Sequence, residues 1–386
     1  MERRSFVRSC MMGAALCAAP SRVLSSSCRR VFRPERLPNN PLVRPGMDPR
    51  MEAEARDYGY VNINGPSLIR VPPWVSDPLG KYYLYFAHHK GVYIRLAYSD
   101  HLTGPWKIYG PGTLQLEGSC FPEEAAGRGS MFDAAAGVLD KYPPEAAFAI
   151  IRVGLAARIA ASDREAEGKG GSKETRPHIA SPHVIIDNQR KQIRMYYHGM
   201  LADSNQMSRV AVSEDGIKFN ARQELLTSPY LRVFRYRGMY YGLSMPGLFC
   251  RSQDGLKNFE IRPGLIFGVN MRHCGLLLRG KELFVFYSRV GDAPERILCS
   301  QVDLSSEDWN DWKAGKPREV MRPQKKWEGA DLPVAPSRRG EITGRVNQLR
   351  DPAIFEEDGK TYLLYACAGE HAIAIARLYE KVECSK

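Results

Sequence analysis

The chain has few cysteines and no long apolar run. Its nine cysteines, in 386 residues, include no C-x-x-C pair, which argues against a structural zinc module or a disulfide scaffold. A membrane-spanning helix needs about 18 or more consecutive apolar residues, and the sequence contains no such stretch. We therefore expect no stable membrane insertion. The length allows one large domain or two medium domains with a buried core.

The formal net charge of +12 comes in large part from the first residues of the chain. Residues 1–36 contain eight arginines and two glutamates, and so carry about half of the excess positive charge. The remaining lysines and arginines are spread along the chain without a dense block. Nucleic-acid binding requires a concentrated basic patch, so we predict no nucleic-acid partner.

The N-terminal sequence "ERRSFVRSCMMGAALCAAP" combines paired arginines, a nearby phenylalanine and a short apolar stretch that ends in small residues. This pattern resembles a twin-arginine export signal. We therefore interpret residues 1–36 as the leader of an exported, periplasmic or extracellular protein. A mitochondrial transit peptide, which is rich in Arg and Ser and poor in acids, is the alternative interpretation.

One pattern of short strands occurs five times between residues 60 and 380. Each copy has an apolar strand, a polar turn and an aromatic strand such as "YYLY" at 82–85, which is typical of β-sheet. A four-stranded meander cannot bury both of its faces alone, so five copies must stack around an axis. The sequence therefore predicts an all-β fold, a five-bladed β-propeller. The predicted blades lie near residues 61–110, 178–222, 227–265, 272–315 and 349–380.

Residues 121–176 interrupt the repeats and are rich in Ala, Gly and charged residues. Their middle part has the composition of a helix, and a Gly-, Ser- and Lys-rich run follows it. We interpret this segment as a partly helical insertion between the first and second blades.

Polar residues are concentrated where the predicted blades meet the channel mouth. First strands start and second strands end on the same face of a propeller, and seven of the eight histidines fall at these positions. Histidines that converge with arginines and acids predict a ligand pocket. The predicted ligand-binding residues are His88, His89, Lys90, His183, His198, Arg272, His273 and Arg350.

Three stretches of the sequence carry a family resemblance. "NGPSLIRVPPW" and "GKYYLYFA", followed by "SD" and "GPW", resemble the first-blade signature of the five-bladed glycosidases of family 43, and "RDPAIF" resembles the Arg-Asp-Pro element of related fructan-processing enzymes. The resemblance spans residues 60–378 apart from the insertion. It implies an oligo- or polysaccharide substrate, hydrolysis by carboxylates and no organic cofactor. The acids that the family pattern implies at three positions are replaced here by Gly65, His183 and Ser228.

The acids that remain at the predicted mouth are Asp351 and Glu370, with Glu117 and Asp292 as outside candidates. Glycoside hydrolysis needs one protonated and one ionised carboxyl group near neutral pH. Arg350 is expected to lower the pKa of a neighbouring carboxyl, and a partly desolvated Glu370 beside His371 is expected to have a raised pKa. We therefore predict Asp351 and Glu370 as the catalytic pair of a glycoside hydrolase with a non-standard arrangement of acids. A turn-capping Asp351 and a solvated Glu370 are the non-catalytic alternative.

Three other functions remain open from the sequence. The three replaced acids favour a carbohydrate-binding propeller that has lost catalysis. A divalent cation in the channel, held by the histidines, would give a metal-dependent site, although no H-x-H or H-x-x-x-H pair supports it. A propeller that serves only as an interaction platform is the third. The sequence gives no indication of oligomeric state.

Overall fold

Five four-stranded antiparallel sheets make up the described fold. The computed structural model describes residues 28–124, 176–202 and 205–384. Arg33–Tyr379 form one compact unit, and the sheets follow one another along the chain as blades. The predicted all-β, five-bladed propeller is therefore confirmed.

The first four blades are simple meanders in chain order. Blade 1 has β2 (Asn64–Arg70), β3 (Tyr82–Ala87), β4 (Tyr93–Ser99) and β5 (Lys107–Gln115). Blade 2 has β6 (Ile179–Asp187), β7 (Gln192–Met200), β8 (Gln206–Ser213) and β9 (Asn220–Ala221). Blade 3 has β10 (Arg232–Tyr236), β11 (Met239–Ser244), β12 (Leu248–Ser252) and β13 (Glu260–Ile261). Blade 4 has β14 (Met271–Arg279), β15 (Glu282–Arg289), β16 (Ile297–Asp303) and β17 (Arg318–Met321).

Blade 5 is built from both ends of the described chain. Its strands are β18 (Leu349–Glu357), β19 (Lys360–Cys367), β20 (Ala372–Cys384) and, beside β20, β1 (Cys28–Arg36). Residues 28–36, which the sequence analysis assigned to the leader, therefore form a strand. The repeat pattern could not predict this closure because the two paired strands lie at opposite ends of the sequence.

The structure describes only part of the predicted leader and of the predicted insertion. Residues 1–27 of the predicted leader and residues 125–175 of the predicted insertion lie outside the described residues. The outer ends of β1 and β20 belong to a separate small unit, which contains an Arg30–Glu380 ion pair.

Repeated tyrosines explain why each blade has an aromatic second strand. The Tyr85 hydroxyl in blade 1 donates to the Gly216 carbonyl of blade 2 at 2.7 Å, and the Tyr196 hydroxyl in blade 2 donates to the Gly255 carbonyl of blade 3 at 2.8 Å. Both rings are fully buried. The aromatic strands thus provide the hydrophobic packing between blades and one hydrogen bond to the next blade.

The innermost strand of four blades begins with an irregularity in its pairing. In three of them the backbone has positive φ there: 62° at Gly65, 52° at Ser181 and 50° at Asp351. A β-bulge bends a strand and re-aims a side chain. Non-glycine residues at positive φ are uncommon and are concentrated at functional sites. The backbone at Asp351 therefore marks this residue as a candidate functional residue.

One helix that the repeat pattern did not predict packs beside blade 1. It is α1 (Pro49–Tyr58), with Pro49 at its start and Asp48 as N-cap, whose side chain accepts from the Met51 amide at 3.0 Å. The Glu54 carboxylate lies 2.5 Å from the Arg95 guanidinium of β4. The helix is thereby fixed to the blade, and its last residue, Tyr58, reaches the channel mouth. Two short 3₁₀ turns lie at Trp309–Asp311 and Lys326–Glu328.

Most cysteines in the described ranges are not disulfide-bonded. Five of these cysteines are free thiols and Cys384 is disulfide-bonded. In the part of the chain that the structure describes, no helix is long and apolar enough to cross a membrane.

The close approach of blades 1 and 2 at Gly65 gives a testable consequence. A Cβ added at Gly65 would lie 2.9 Å from the Ser181 Cα, and a left-handed φ disfavours any side chain. We expect Gly65→Ala to lower the free energy of unfolding by about 2–4 kcal/mol. Urea unfolding monitored by tryptophan fluorescence measures the change.

Gly238 provides the matched control because its φ is +80° and a Cβ there would meet nothing within 4 Å. Gly238→Ala carries the backbone strain without the collision, and should cost about 1 kcal/mol. Equal losses in the two variants would contradict the close contact at Gly65.

Candidate functional site

A buried ion pair joins the starting end of β18 to the turn between β19 and β20. The Arg350 Nη1 lies 3.0 Å from the Glu370 Oε1, and both side chains are completely buried. The Arg350 Nε lies 3.2 Å from the Glu295 Oε2 of blade 4, and Nη2 donates to the Gln348 Oε1 at 2.7 Å. Because buried charges are stable only when paired and hydrogen-bonded, this network fixes blades 4 and 5 together at the mouth.

Glu370 also reaches blade 1. Its Oε2 accepts from the Asn62 side-chain amide at 2.6 Å and the Asn64 side-chain amide at 3.2 Å, and lies 3.4 Å from the His89 Nδ1. The ends of blades 1 and 5 therefore meet at the mouth, as the strand directions predicted.

The charge state of Glu370 differs from the sequence-based expectation. Burial alone raises the pKa of the Glu370 carboxyl, but His89, Arg350 and Arg272 together hold that pKa well below its ordinary value. The expectation of a raised pKa was wrong because the sequence neighbour His371 does not contact the carboxyl, whereas three cationic or polar groups from distant parts of the chain do. Glu370 is ionised at neutral pH and cannot donate a proton there.

Asp351 is paired with a histidine of blade 4. Its Oδ1 contacts the His273 Nδ1, and its Oδ2 accepts from the Gly65 backbone amide at 3.3 Å. The Asp351 side chain is fully buried and that of His273 is 2% exposed. A carboxylate on one ring nitrogen fixes the orientation of an imidazole and leaves the other nitrogen for a ligand.

Tyr230 is the centre of the histidine cluster. Its ring centroid lies 3.7 Å from that of His273 and 4.3 Å from that of His198. Its hydroxyl lies 3.5 Å from the His89 Nε2, and the His178 ring is 5.9 Å from the His198 ring. The predicted convergence of histidines is therefore found for these four.

The other predicted residues lie around this cluster or away from it. His88 stacks on Tyr58 at 4.4 Å, at the edge of the mouth. His183 is directed between blades 2 and 3, where its Nε2 lies 3.0 Å from the Val233 carbonyl, so the structure does not bring it to the mouth. The His183 ring cannot contact a ligand at the mouth without losing its contact with the Val233 carbonyl.

Lys90 and Arg272 hold a segment that crosses the mouth, which we call the rim loop (residues 337–345). Arg272 donates to the Arg338 carbonyl at 2.9 Å and to the Gly340 carbonyl at 3.1 Å. On the blade 1 side, the Lys90 Nζ lies 2.7 Å from the Glu341 Oε1. The two predicted ligand-binding cations therefore position the rim loop.

A narrow cavity of about 50 Å³ lies under the rim loop. One water molecule occupies roughly 10–15 Å³ of such a cavity volume. The cavity therefore has room for a few hydroxyl-sized groups. Residues that contribute side chains to its lining include His89, Tyr230, Arg272, His273 and Arg339. Neither Asp351 nor Glu370 lines it, since each lies behind the histidine that it contacts.

The geometry gives no support for a metal centre. In residues 28–124, 176–202 and 205–384, no group of three or more His, Cys, Asp or Glu side chains is arranged to hold a metal ion. The histidines contact aromatic rings and single carboxylates.

Several residues of the site were missed by the sequence analysis. Tyr230 follows "TSP" at the start of the third repeat, where His183 follows "ASP" in the second, so the repeat alignment contained a signal for it. Asn62, Glu295 and Gln348 precede or follow their strands by variable distances and have no equivalent in the other repeats. Only the folded chain brings them to Arg350 and Glu370.

Burial keeps the clustered histidines neutral. It lowers the pKa of His88 to about 3 and that of His178 to about 4, and it lowers the pKa of His198 and His273 well below the ordinary value. Neighbouring histidines and arginines act in the same direction. At neutral pH these rings each offer one hydrogen-bond donor and one acceptor.

These shifts predict acid sensitivity. Below about pH 6.5 the unfolded chain binds protons on these histidines while the folded chain does not, so stability is present above that pH and falls as the pH decreases toward 4. Each such histidine contributes a slope of about 1.4 kcal/mol per pH unit. Urea unfolding between pH 7.5 and 5 should show this slope, and His198→Gln should reduce it.

The exposed His101 is the control for this prediction. His101→Gln should leave the slope unchanged. A stability that stays constant from pH 7.5 to 5 in the parent protein would contradict the neutral, buried state of the histidines.

Comparisons with solved structures agree with the fold. The solved structures that are similar to the chain include glycoside hydrolases. A candidate glycoside hydrolase from Parabacteroides distasonis superimposes with a TM-score of 0.54 and 12% identity, covering 90% of this chain and 96% of that one. A thermostable family-43 glycoside hydrolase has a TM-score of 0.46 and 12% identity, covering 84% and 94%. At this identity the likeness establishes the fold alone.

A closer relationship exists in sequence. No family model matches the chain. The uncharacterized protein R118 of Acanthamoeba polyphaga mimivirus is 33% identical over 345 residues, which cover 82% of this chain and 84% of the viral protein. The chain belongs to the same family as this mimivirus protein.

Proposed function

We propose that this protein is a glycan-active propeller and that the pocket at its channel mouth binds a saccharide. The observation that carries the proposal is the pocket itself: the Tyr230 ring lies between His198 and His273, and Arg272 and Arg339 line the same cavity at the channel mouth. Sugars are bound by a flat aromatic or apolar surface together with a few well-placed polar groups. The shared architecture with glycoside hydrolases supports the same proposal.

Binding without cleavage is the function that the geometry supports best. The family resemblance implies an acid at three positions. The residue that is present at each of them cannot act as that acid. A side chain at Gly65 would collide with Ser181. The Ser228 hydroxyl is hydrogen-bonded to the Ser244 hydroxyl and the Met245 carbonyl, both at 2.7 Å, and His183 is directed away from the mouth.

Hydrolysis is the second candidate, and the Asp351–His273 contact favours it. Glu370 is ionised, so it does not supply the protonated carboxyl that a carboxylate pair requires. In this candidate the neutral His273 imidazole accepts a proton from the attacking water, the buried Asp351 stabilises the imidazolium that forms, and the departing sugar oxygen takes its proton from solvent water. Glu370 remains the second, ionised carboxylate, and holds His89 in place.

The first experiment separates the two candidates. The purified chain is titrated calorimetrically with a panel of neutral and acidic oligosaccharides, and the same mixtures are assayed for new reducing ends with and without EDTA. Binding with no new reducing ends supports the first candidate. Hydrolysis that is insensitive to EDTA supports the second, and loss of hydrolysis in EDTA would require a metal ion that neither candidate includes. The absence of any binding would overturn the proposal.

Tyr230 gives the direct test of the binding surface. Tyr230→Ala removes the ring between His198 and His273, and we expect at least a tenfold weaker affinity for any saccharide that the parent protein binds. Calorimetry on folded variant protein measures this. Tyr379→Ala, on the 39% exposed Tyr379 of β20, is the matched control and should bind like the parent.

Asp351 tests the second candidate. Wherever hydrolysis is detected, Asp351→Asn should reduce the turnover number by about a hundredfold or more, because the amide no longer stabilises an imidazolium at His273. Saccharide affinity should change only a few-fold, since Asp351 does not line the cavity. Asp292→Asn, in the Arg289 ion pair at the rim, is the control. Parent-like turnover in Asp351→Asn would remove this residue from the mechanism.

We also propose that the protein is exported. The proposal rests on the Arg-Arg-x-Phe pattern near the N-terminus, with mitochondrial import as the alternative. Fractionation of cells that express the chain with a C-terminal tag distinguishes the two locations.

A further inference from the structure

Arg232 is a buried cation without a counter-charge among the described residues. It begins β10 and is 2% exposed. Its Nη1 donates to the Ser181 carbonyl at 3.1 Å. Its Nε and Nη2 are buried, and no hydrogen-bond acceptor in the described chain reaches them. Burial lowers the pKa of the Arg232 guanidinium to about 10, against small opposing effects of Cys274 and Tyr230, so it keeps its positive charge at neutral pH.

The most deeply buried arginines of the described ranges are otherwise paired with an acid, which makes Arg232 unusual; Arg209 and Arg262, which are 7% and 6% exposed, also lack an acidic partner there. Arg95 lies 2.5 Å from Glu54, Arg194 lies 2.8 Å from Asp187, and Arg350 lies 3.0 Å from Glu370. Within the described ranges, Arg232 has no such acidic partner. A buried charge is strongly unfavourable unless an opposite charge compensates it.

A second orphaned group lies in electrostatic range of Arg232. His198 is completely buried, and neither of its ring nitrogens has a hydrogen-bond partner within the described part of the chain. The positive charge of Arg232 contributes to the lowered pKa of both His198 and His273. His198 pairs with Ala180 of β6, which precedes Ser181, and the Ser181 carbonyl accepts from Arg232. The two orphaned side chains therefore start from neighbouring points of the channel wall.

We propose that Arg232 and His198 bind a small inorganic anion inside the channel. Such an anion accepts hydrogen bonds from the Nε–H and Nη2–H of Arg232 and from the N–H of the neutral His198 ring, and its charge compensates the guanidinium. Water could satisfy the hydrogen bonds but not the charge. A cation is disfavoured because Arg232 repels it. This site is independent of saccharide binding at the mouth.

Anion-dependent thermal stability tests the site. The midpoint of thermal unfolding is measured in sodium chloride and in sodium isethionate, whose anion is much larger, at equal ionic strength. Chloride bound only by the folded chain should raise the midpoint by about 2 °C for each tenfold increase above its dissociation constant. Identical midpoints in the two salts at all concentrations would overturn the proposal.

Variants assign the effect to Arg232. Arg232→Met removes the charge at similar length, so it should abolish the chloride dependence and unfold in isethionate no earlier than the parent protein. Arg232→Lys should retain part of the chloride dependence. Arg194→Met is the matched control: it removes an equally buried but paired arginine, and should unfold earlier in both salts while keeping the chloride dependence. A chloride dependence that persists in Arg232→Met would contradict the assignment.

Bromide locates the ion directly, and needs no variant. Crystals of the full chain grown in sodium bromide should show one anomalous peak within hydrogen-bond distance of the Arg232 guanidinium. A channel that contains only water there, at bromide concentrations that saturate the thermal effect, would refute the site.

Discussion

The buried Arg350–Glu370 ion pair is the interaction on which the site depends. Arg350 connects to Glu295 of blade 4, and Glu370 connects to Asn62 and His89 on the blade 1 side. The pair therefore closes the ring of blades at its mouth, where blade 5 meets both of its neighbours. It also fixes the backbone at Asp351, the next residue, which has positive φ and holds His273. Removal of either charge would leave the other buried and unpaired.

The repeats made the fold predictable, whereas the closure and the charge states depended on contacts between distant residues. Short aromatic strands such as Tyr82–Ala87 predicted the blades, because the packing between blades requires large rings at the same place in each repeat. The β1 strand was assigned to a leader, since nothing local identifies an edge strand whose partner is more than 300 residues away. The pKa of Glu370 was wrongly expected to rise, because His371 follows it in sequence but Arg350, Arg272 and His89 surround it in space.

The same distinction applies to the histidines. Strand direction correctly brought His89, His198 and His273 to the mouth, yet His183, at a position equivalent by sequence to Tyr230, is directed between two blades. The resulting pocket is lined by His89 and His273, a tyrosine and two arginines, while both acids lie behind it. This arrangement suits recognition of hydroxyl groups.

A crystal structure of the protein with a bound oligosaccharide is the decisive test of saccharide binding at the channel mouth. We expect a terminal sugar to lie against the Tyr230 ring under the rim loop, with hydroxyls in hydrogen-bond distance of His273 and Arg272 or Arg339. An oligosaccharide bound with full occupancy at another surface, such as the cleft beside Trp74 and Lys218 between blades 1 and 2, with only water at the mouth, would contradict it.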